Sequence, residues 1–287
     1  MKKIIFTVTI IILLAAIGAI AYVWLDEGHF ISVKEGLPSS SPQAYVSVTE
    51  AEPVAYQKPG DSVIIKFPVF NYHHIRPMPP ETAPIDERSF AVSPEGFEAH
   101  LKYFQDNGYR VVLARELINY FDEGKPLPAK AVAITFDDGR YGQYEFAFSL
   151  LKKYGMRATF FITTEWIGKK DFMTWAEIKE MSDAGMEIGS HGFNHANLTA
   201  LSDDDLMKQL VESKSILEEK TGRTVDLLAY PGGNYNERVI EMAKATSYGA
   251  AFGVYKIINQ MPKYRYQIRR FHADDWLDSV AGNLVGY

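Results

Sequence analysis

From about residue 63 onward, short apolar runs that suit strands alternate with segments whose apolar residues recur at helical spacing. Strand patterns fall at 64–72, 131–136, 157–163, 186–190, 225–230, 249–254 and 267–272. Between them, Ser93-Pro94 opens a helix with Phe97, Leu101 and Phe104 on one face, stopped by Gly108, and Ser202 opens another carrying Leu206, Leu210 and Leu217, stopped by Gly222. Further helical patterns cover about 143–154, 174–184 and 236–245. Strands that alternate with helices predict βαβ units and a parallel α/β barrel. In such barrels catalytic side chains gather at the C-terminal ends of the strands.

Two polar clusters sit at such ends. The run Ala131 to Phe136 is stopped by Asp137-Asp138-Gly139, where glycine permits a turn that other residues resist. Met186 to Ser190 reads as a strand that delivers His191-Gly192-Phe193-Asn194-His195. Neighbouring side chains on a strand point to opposite faces, but at a strand-to-turn junction both acids reach one pocket while facing different atoms. Catalytic zinc usually takes three protein ligands from His and Asp or Glu and keeps one position open. Asp138, His191 and His195 supply that set and leave Asp137 as a general base. Either half alone is a common turn or a chance pair; the two together, each at a strand end, point to a metal hydrolase.

With these residues in place, TFDDG (Thr135 to Gly139) and SHxxxH (Ser190 to His195) resemble the polysaccharide deacetylases with the NodB homology domain, carbohydrate esterase family 4. ATFFIT (Ala158 to Thr163), MTWAEIKEM (Met173 to Met181), AYPGG (Ala229 to Gly233) and FNYHHI (Phe70 to Ile75) extend the likeness over about residues 63 to 276. The resemblance implies a distorted, incomplete (β/α) barrel of about seven strands, zinc or a similar divalent ion on the second Asp and the two His, the first Asp as base, and removal of acetyl from an N-acetylated sugar.

FNYHHI upstream of TFDDG is similar to the circularly permuted branch that includes poly-N-acetylglucosamine deacetylases. That likeness gives His73 the role of general acid, which an imidazole with an ordinary pKa near 6.5 suits. It also implies substrate contacts from Tyr230, Pro231 and Gly232, with the Gly232 N–H donating to an oxyanion. One departure stands out: where the family's third motif carries an arginine to orient the catalytic acid, this chain has Ala229-Tyr230-Pro231-Gly232. Arg269 and Arg270, on the last predicted strand, are the candidates to fill that place. Asp275-Trp276 matches the family's Asp-Trp only faintly, and His29, His100 and His272 receive no role.

Composition narrows the setting. The 287 residues are 47% hydrophobic and 23% charged with a formal charge of −6, and no basic run extends beyond Lys2-Lys3, so nucleic acid is excluded as an expected partner. Cysteine is absent, which rules out disulfides, thiolate catalysis and Cys-based metal sites. Ile4 to Leu25 is apolar apart from Thr7 and Thr9; as a helix its roughly 22 residues would span about 33 Å, enough for a hydrocarbon core. Lysines before it and Asp26-Glu27 after it predict a single-pass anchor with the domain outside the cell. The alternative is a signal peptide cleaved near Ala19-Ile20-Ala21. Residues 26–62, rich in Pro and Ser, read as a linker, and 63–287 as the catalytic domain.

The reading is a membrane-tethered, zinc-dependent N-deacetylase of an N-acetylglucosamine-type polysaccharide, with no protein partner implied. Its alternatives are a carbohydrate-binding pseudoenzyme of the same fold, which the missing arginine favours, and an O-acetyl esterase of the xylan type.

Overall fold

The computed structural model describes residues 9–13, 20–25, 29–34 and 56–287. The chain divides between Ala55 and Tyr56 into two units. In the first, Thr9–Leu13, Ile20–Leu25 and His29–Lys34 form an antiparallel three-stranded sheet. Apolarity predicts a helix over this stretch, but its residues are largely β-branched (Thr9, Ile10, Ile11, Ile12, Ile20, Val23), a composition that suits strands. No helix among the described residues is long and apolar enough to cross a membrane. The rest of residues 1–55, which includes most of the predicted linker, lies outside the described residues.

The second unit is the predicted parallel α/β architecture. Its strands are β1 (Val69–Tyr72), β2 (Arg110–Val112), β3 (Ala131–Phe136), β4 (Thr159–Ile162), β5 (Glu187–Ser190), β6 (Leu227–Ala229), β7 (Ala250–Phe252) and β8 (Phe271–His272). They lie in the order β7-β6-β5-β4-β3-β1-β8, all parallel, with β2 pairing the first half of β3. Ile268, just before β8, bonds the far edge through Gly253 N–H to Ile268 O at 2.8 Å and Ile268 N–H to Ala251 O at 2.9 Å, so the sheet curls back on itself. The seven-strand distorted barrel is therefore as expected.

The helices follow their apolar stripes. Helix α1 (Pro94–Asp106) buries Phe97, Leu101 and Phe104, and α5 (Asp203–Thr221) buries Leu206, Leu210 and Leu217 before Gly222 ends it in the left-handed conformation at φ 70°. Further helices are α2 (Ala114–Glu123), α3 (Ser149–Lys153), α4 (Trp175–Asp183) and α6 (Glu237–Ala245), beside short ones at Ile85–Ser89 and Asp278–Ala281. Helix α3 is preceded by a π-helical stretch at Gln143–Phe148. Every residue of β3 is buried, so this strand forms the axis of the core and delivers Asp137 and Asp138 at its C-terminal end. The same end of the barrel receives His73 after β1 and His191 after β5.

One cap also ties the chain's C-terminal segment to this frame. Ser93 Oγ accepts from Gly96 N–H at 2.9 Å at the start of α1, while Ser93 N–H and Oγ–H both donate to Asp275 Oδ1 at 2.6 Å. Ser93→Ala removes the cap and one of the Asp275 bonds. We expect a loss of about 1–2 kcal/mol and a fall in Tm of roughly 2–6 °C, measured by calorimetry.

Candidate active site

Three of the sequence-predicted residues converge as a ligand set. Asp138 Oδ1 lies 3.7 Å from His191 Nε2 and 3.7 Å from His195 Nε2, and the three groups fit around one ion. Donors about 2.0–2.2 Å from a shared ion in tetrahedral array stand about 3.4 Å apart, close to what is seen. Asp138 Oδ1 is buried without a hydrogen-bond partner, the condition of a carboxylate oxygen awaiting a cation. His191 Nδ1 pairs with Ala229 O at 2.8 Å, which makes Nδ1 the protonated nitrogen and turns the Nε2 lone pair to the site. Both Asp138, at φ 79°, and His195, at φ 62°, occupy left-handed backbone that non-glycine residues rarely adopt.

An outer layer holds these ligands. Arg140 Nε donates to Asp138 Oδ2 at 3.3 Å, which leaves Oδ1 as the free oxygen. The Arg140 guanidinium lies 4.4 Å from the Phe172 ring centre and 5.5 Å from that of Trp166. Trp166 in turn stacks on His195 with centroids 5.1 Å apart and planes 21° from parallel. Burial, and next the neighbouring His191, lower the His195 pKa and favour the neutral, ligating imidazole. Sequence reasoning missed Arg140 and Trp166; the only signal was the basic residue directly after the DDG turn.

Asp137 has a different environment. Arg270, fully buried, donates from Nη1 to Oδ1 at 2.7 Å and from Nη2 to Oδ2 at 2.8 Å, and its Nε donates to Gly253 O at 3.0 Å. Asn71 Nδ2 donates to Asp137 Oδ2 at 3.1 Å. Burial works against the Asp137 charge, but Arg270, His191 and His73 outweigh it and hold the carboxyl below the ordinary range. Of the two candidates for the vacant arginine, Arg270 thus fills the place; Arg269 makes no contact with Asp137. The arginine reaches the base from β8 instead of β6.

His73 lies on the other side of Asp137, with Nε2 4.0 Å from Oδ2. Its ring is packed against Phe90 at 4.7 Å and His272 at 5.6 Å. Burial lowers its pKa to about 4, against a smaller opposing pull from Asp137 and Asp138. His272, given no role from sequence, is therefore a wall of the site, anchored through Nε2 to Ser89 O at 2.7 Å. His100 is a buried link between Tyr72 Oη at 3.1 Å and Trp276 O at 3.3 Å. Asp275 serves the α1 cap, and the Trp276 side chain is 76% exposed.

The expected Tyr230 contact needs correction. Its side chain is buried, stacked on Tyr235, and its hydroxyl donates to Tyr266 O at 2.9 Å, so it belongs to the core. Pro231 is also buried. Gly232, at φ 63°, is exposed and is the member of the three with an accessible backbone.

A profile of the family described as polysaccharide deacetylase matches residues 124–251. Over this stretch the chain resembles a polysaccharide deacetylase domain. It is similar to the Bacillus subtilis protein YxkH, a polysaccharide deacetylase by name, at 34% identity over 183 residues that cover 64% of this chain and 62% of that one. The poly-beta-1,6-N-acetyl-D-glucosamine N-deacetylase of Staphylococcus aureus strain N315 is 29% identical over 171 residues, 55% of this chain and 59% of its own. The chain thus spans about three-fifths of the length of these curated relatives. Among solved structures, Streptococcus pyogenes deacetylase PplD in complex with acetate aligns with a TM-score of 0.71 at 25% identity, covering 77% of this chain and 99% of that one. IcaB from Ammonifex degensii shares the fold, with a TM-score of 0.64 at 24% identity over 76% of this chain and 96% of its own.

Two outcomes are expected of this site. Asp138→Ala should abolish stoichiometric metal uptake, read by elemental analysis of zinc-loaded protein after desalting; full occupancy would show the ligand assignment to be wrong. The second concerns pH. Burial lowers both His73 and His74 to about 4, with Arg140 and Arg76 adding to the effect at His74. Below about 6.5 the unfolded chain takes protons that the folded chain refuses, so stability is full above that pH and falls as pH drops toward 4. His74→Gln removes one such site without touching the ligand set. Urea midpoints of chelator-treated protein between pH 7 and pH 4.5 should fall less steeply in this variant than in the parent.

Proposed function

We propose that the deacetylase domain hydrolyses N-acetyl groups of an N-acetylglucosamine-type polysaccharide and releases acetate. The observation that carries the reading is the pairing of an unpartnered Asp138 Oδ1 between two imidazole nitrogens with a neighbouring Asp137 that Arg270 keeps ionised. Two relatives support the substrate class and product: the Staphylococcus aureus protein is named for poly-N-acetylglucosamine, and the Streptococcus pyogenes deacetylase was solved with acetate. A pseudoenzyme loses its main argument, because the arginine absent from the third motif is supplied by Arg270.

Asp138, His191 and His195 would hold a divalent ion, for which zinc suits the mixed oxygen and nitrogen donors. Such an ion supplies Lewis acidity, lowering the pKa of water toward neutrality and polarising an acyl oxygen. The chain's own residues do the rest. Asp137, its two oxygens fixed by Arg270 and Asn71, accepts a proton from the water that attacks the acetamide carbon. The Gly232 N–H, on exposed backbone, would donate to the oxygen that becomes negative. His73 gives a proton to the sugar nitrogen as the C–N bond breaks, leaving acetate and an amine. At neutral pH His73 is itself unprotonated, so the proton it delivers arrives during turnover. Asp137, 4.0 Å away, is the donor: a carboxyl held below its usual range surrenders a captured proton readily.

The apolar run Ile4 to Leu25 is proposed to tether the domain outside the cell membrane, from its composition and flanking charges.

Asp137→Asn should retain metal and lose turnover by at least about 100-fold, the range typical of proton transfer by a positioned base. The assay is acetate release from N-acetylglucosamine oligomers, O-acetylated xylan and peptidoglycan, using metal-stripped and zinc-restored protein. Acetate from the oligomers without chain shortening supports the proposal. Release from xylan alone would favour the esterase, and oligomer binding without any acetate the binding module.

A further inference from the structure

Asp137 is fixed through its side chain by Arg270 and Asn71, and its N–H donates to Tyr72 O at 3.0 Å. His73 is fixed far less. Its Nδ1 is buried without a partner, and its ring is held by packing against Phe90 and His272. A polar tie to the residue runs instead through its backbone carbonyl, which accepts from Gln143 Nε2 at 2.8 Å. The same nitrogen donates to Asp137 O at 2.5 Å. One fully buried amide therefore bridges the main chain of the proposed acid to that of the proposed base.

The local fold is shaped around this bridge. Gln143 opens the π-helical stretch Gln143–Phe148, a rare wide turn that recurs at functional sites. Gly142 before it lies so close to Ile75 O that a Cβ would overlap the oxygen, so the turn presses on the segment that follows His73. The Gln143 amide has its NH₂ group on the two carbonyl oxygens and leaves Oε1 buried without a partner. The reverse orientation would set oxygen against oxygen.

We infer that Gln143 is a positioning residue that sets the distance between His73 and Asp137, and that its loss displaces His73 rather than Asp137. This rests on the assignment of His73 as general acid. Hydrolysis of an amide needs that acid, whereas an activated ester such as 4-nitrophenyl acetate releases 4-nitrophenolate as its C–O bond breaks, without a proton. Gln143→Met keeps the side chain's length and removes its donors. It should lower kcat on N-acetylglucosamine oligomers by about 10- to 100-fold, with KM, zinc stoichiometry and ester hydrolysis within a few-fold of the parent. Gln143→Glu, protonated between two carbonyls, donates one bond and should fall between the two.

The decisive measurement is the double-mutant cycle with His73→Ala. If Gln143 acts through His73, the Met substitution costs almost nothing once His73 is gone. Additive losses, or equal loss of amide and ester hydrolysis, would overturn the inference. Wild-type amide turnover in His73→Ala would instead overturn the acid assignment on which it rests. Melting temperature and metal content of each variant separate a folding defect from these outcomes, and a Gln143→Met protein that folds, binds zinc and deacetylates at the parent rate refutes the role outright.

Discussion

The buried ion pair between Asp137 and Arg270 is the constraint around which the catalytic end of the barrel is arranged. Their side chains are 3% and 0% exposed, and an uncompensated carboxylate at that depth would be neutral and useless as a base. Arg270 also donates to Gly253 O after β7, and its Nη1 lies 3.3 Å from both Asn71 Oδ1 and Thr135 Oγ1. One guanidinium thus joins β1, β3, β7 and β8 at the place where the sheet closes. Breaking such a pair typically costs about 3–5 kcal/mol, so the same contact serves the fold and the charge state of the base.

The plan of the barrel and its ligand set were legible because each is carried by local signals. Strand β3 is a continuous apolar run ended by a turn, and α1 and α5 have serine caps and regular apolar stripes. Helix α2 escaped for the complementary reason: it begins at Leu113 without a side-chain cap, and β2 before it has only three residues. Over the first strands of the chain, apolarity alone does not distinguish a strand from a membrane helix, because the residues there include many that are β-branched. Arg270 was open to discovery only as one of two adjacent arginines, since which of them points inward depends on the register of β8 with β1, a contact made across just over two hundred residues. Tyr230 shows the converse: at a motif position carried over by likeness, the side chain is buried and its hydroxyl is engaged with Tyr266 O.

The two adjacent acids acquire different chemistry from geometry alone. Asp137 continues the strand direction into the arginine, while Asp138 turns into left-handed backbone at φ 79° and so points its free oxygen to the two histidines. Strain of this kind costs on the order of 1–3 kcal/mol and persists when the surroundings fix it. Here they do: Met173 N–H donates to Gly139 O at 3.0 Å, Thr163 N–H to Asp138 O at 3.3 Å, and Arg140 holds the outer carboxylate oxygen.

Each carboxylate at the site has its own arginine, and this bears on how strongly an ion seated there would act. Asp137 is balanced by Arg270 and Asp138 by Arg140, while burial keeps His73 and His195 neutral. A divalent ion among these groups would meet little uncompensated negative charge from the protein. Its own charge would then fall largely on the water and the acyl oxygen of the substrate. The cost is weaker retention of the ion, since Arg140 lies beside a ligand. Its guanidinium, bonded to Asp138 Oδ2 through Nε, also lies against the rings of Trp166 and Phe172, and the same tryptophan stacks on His195.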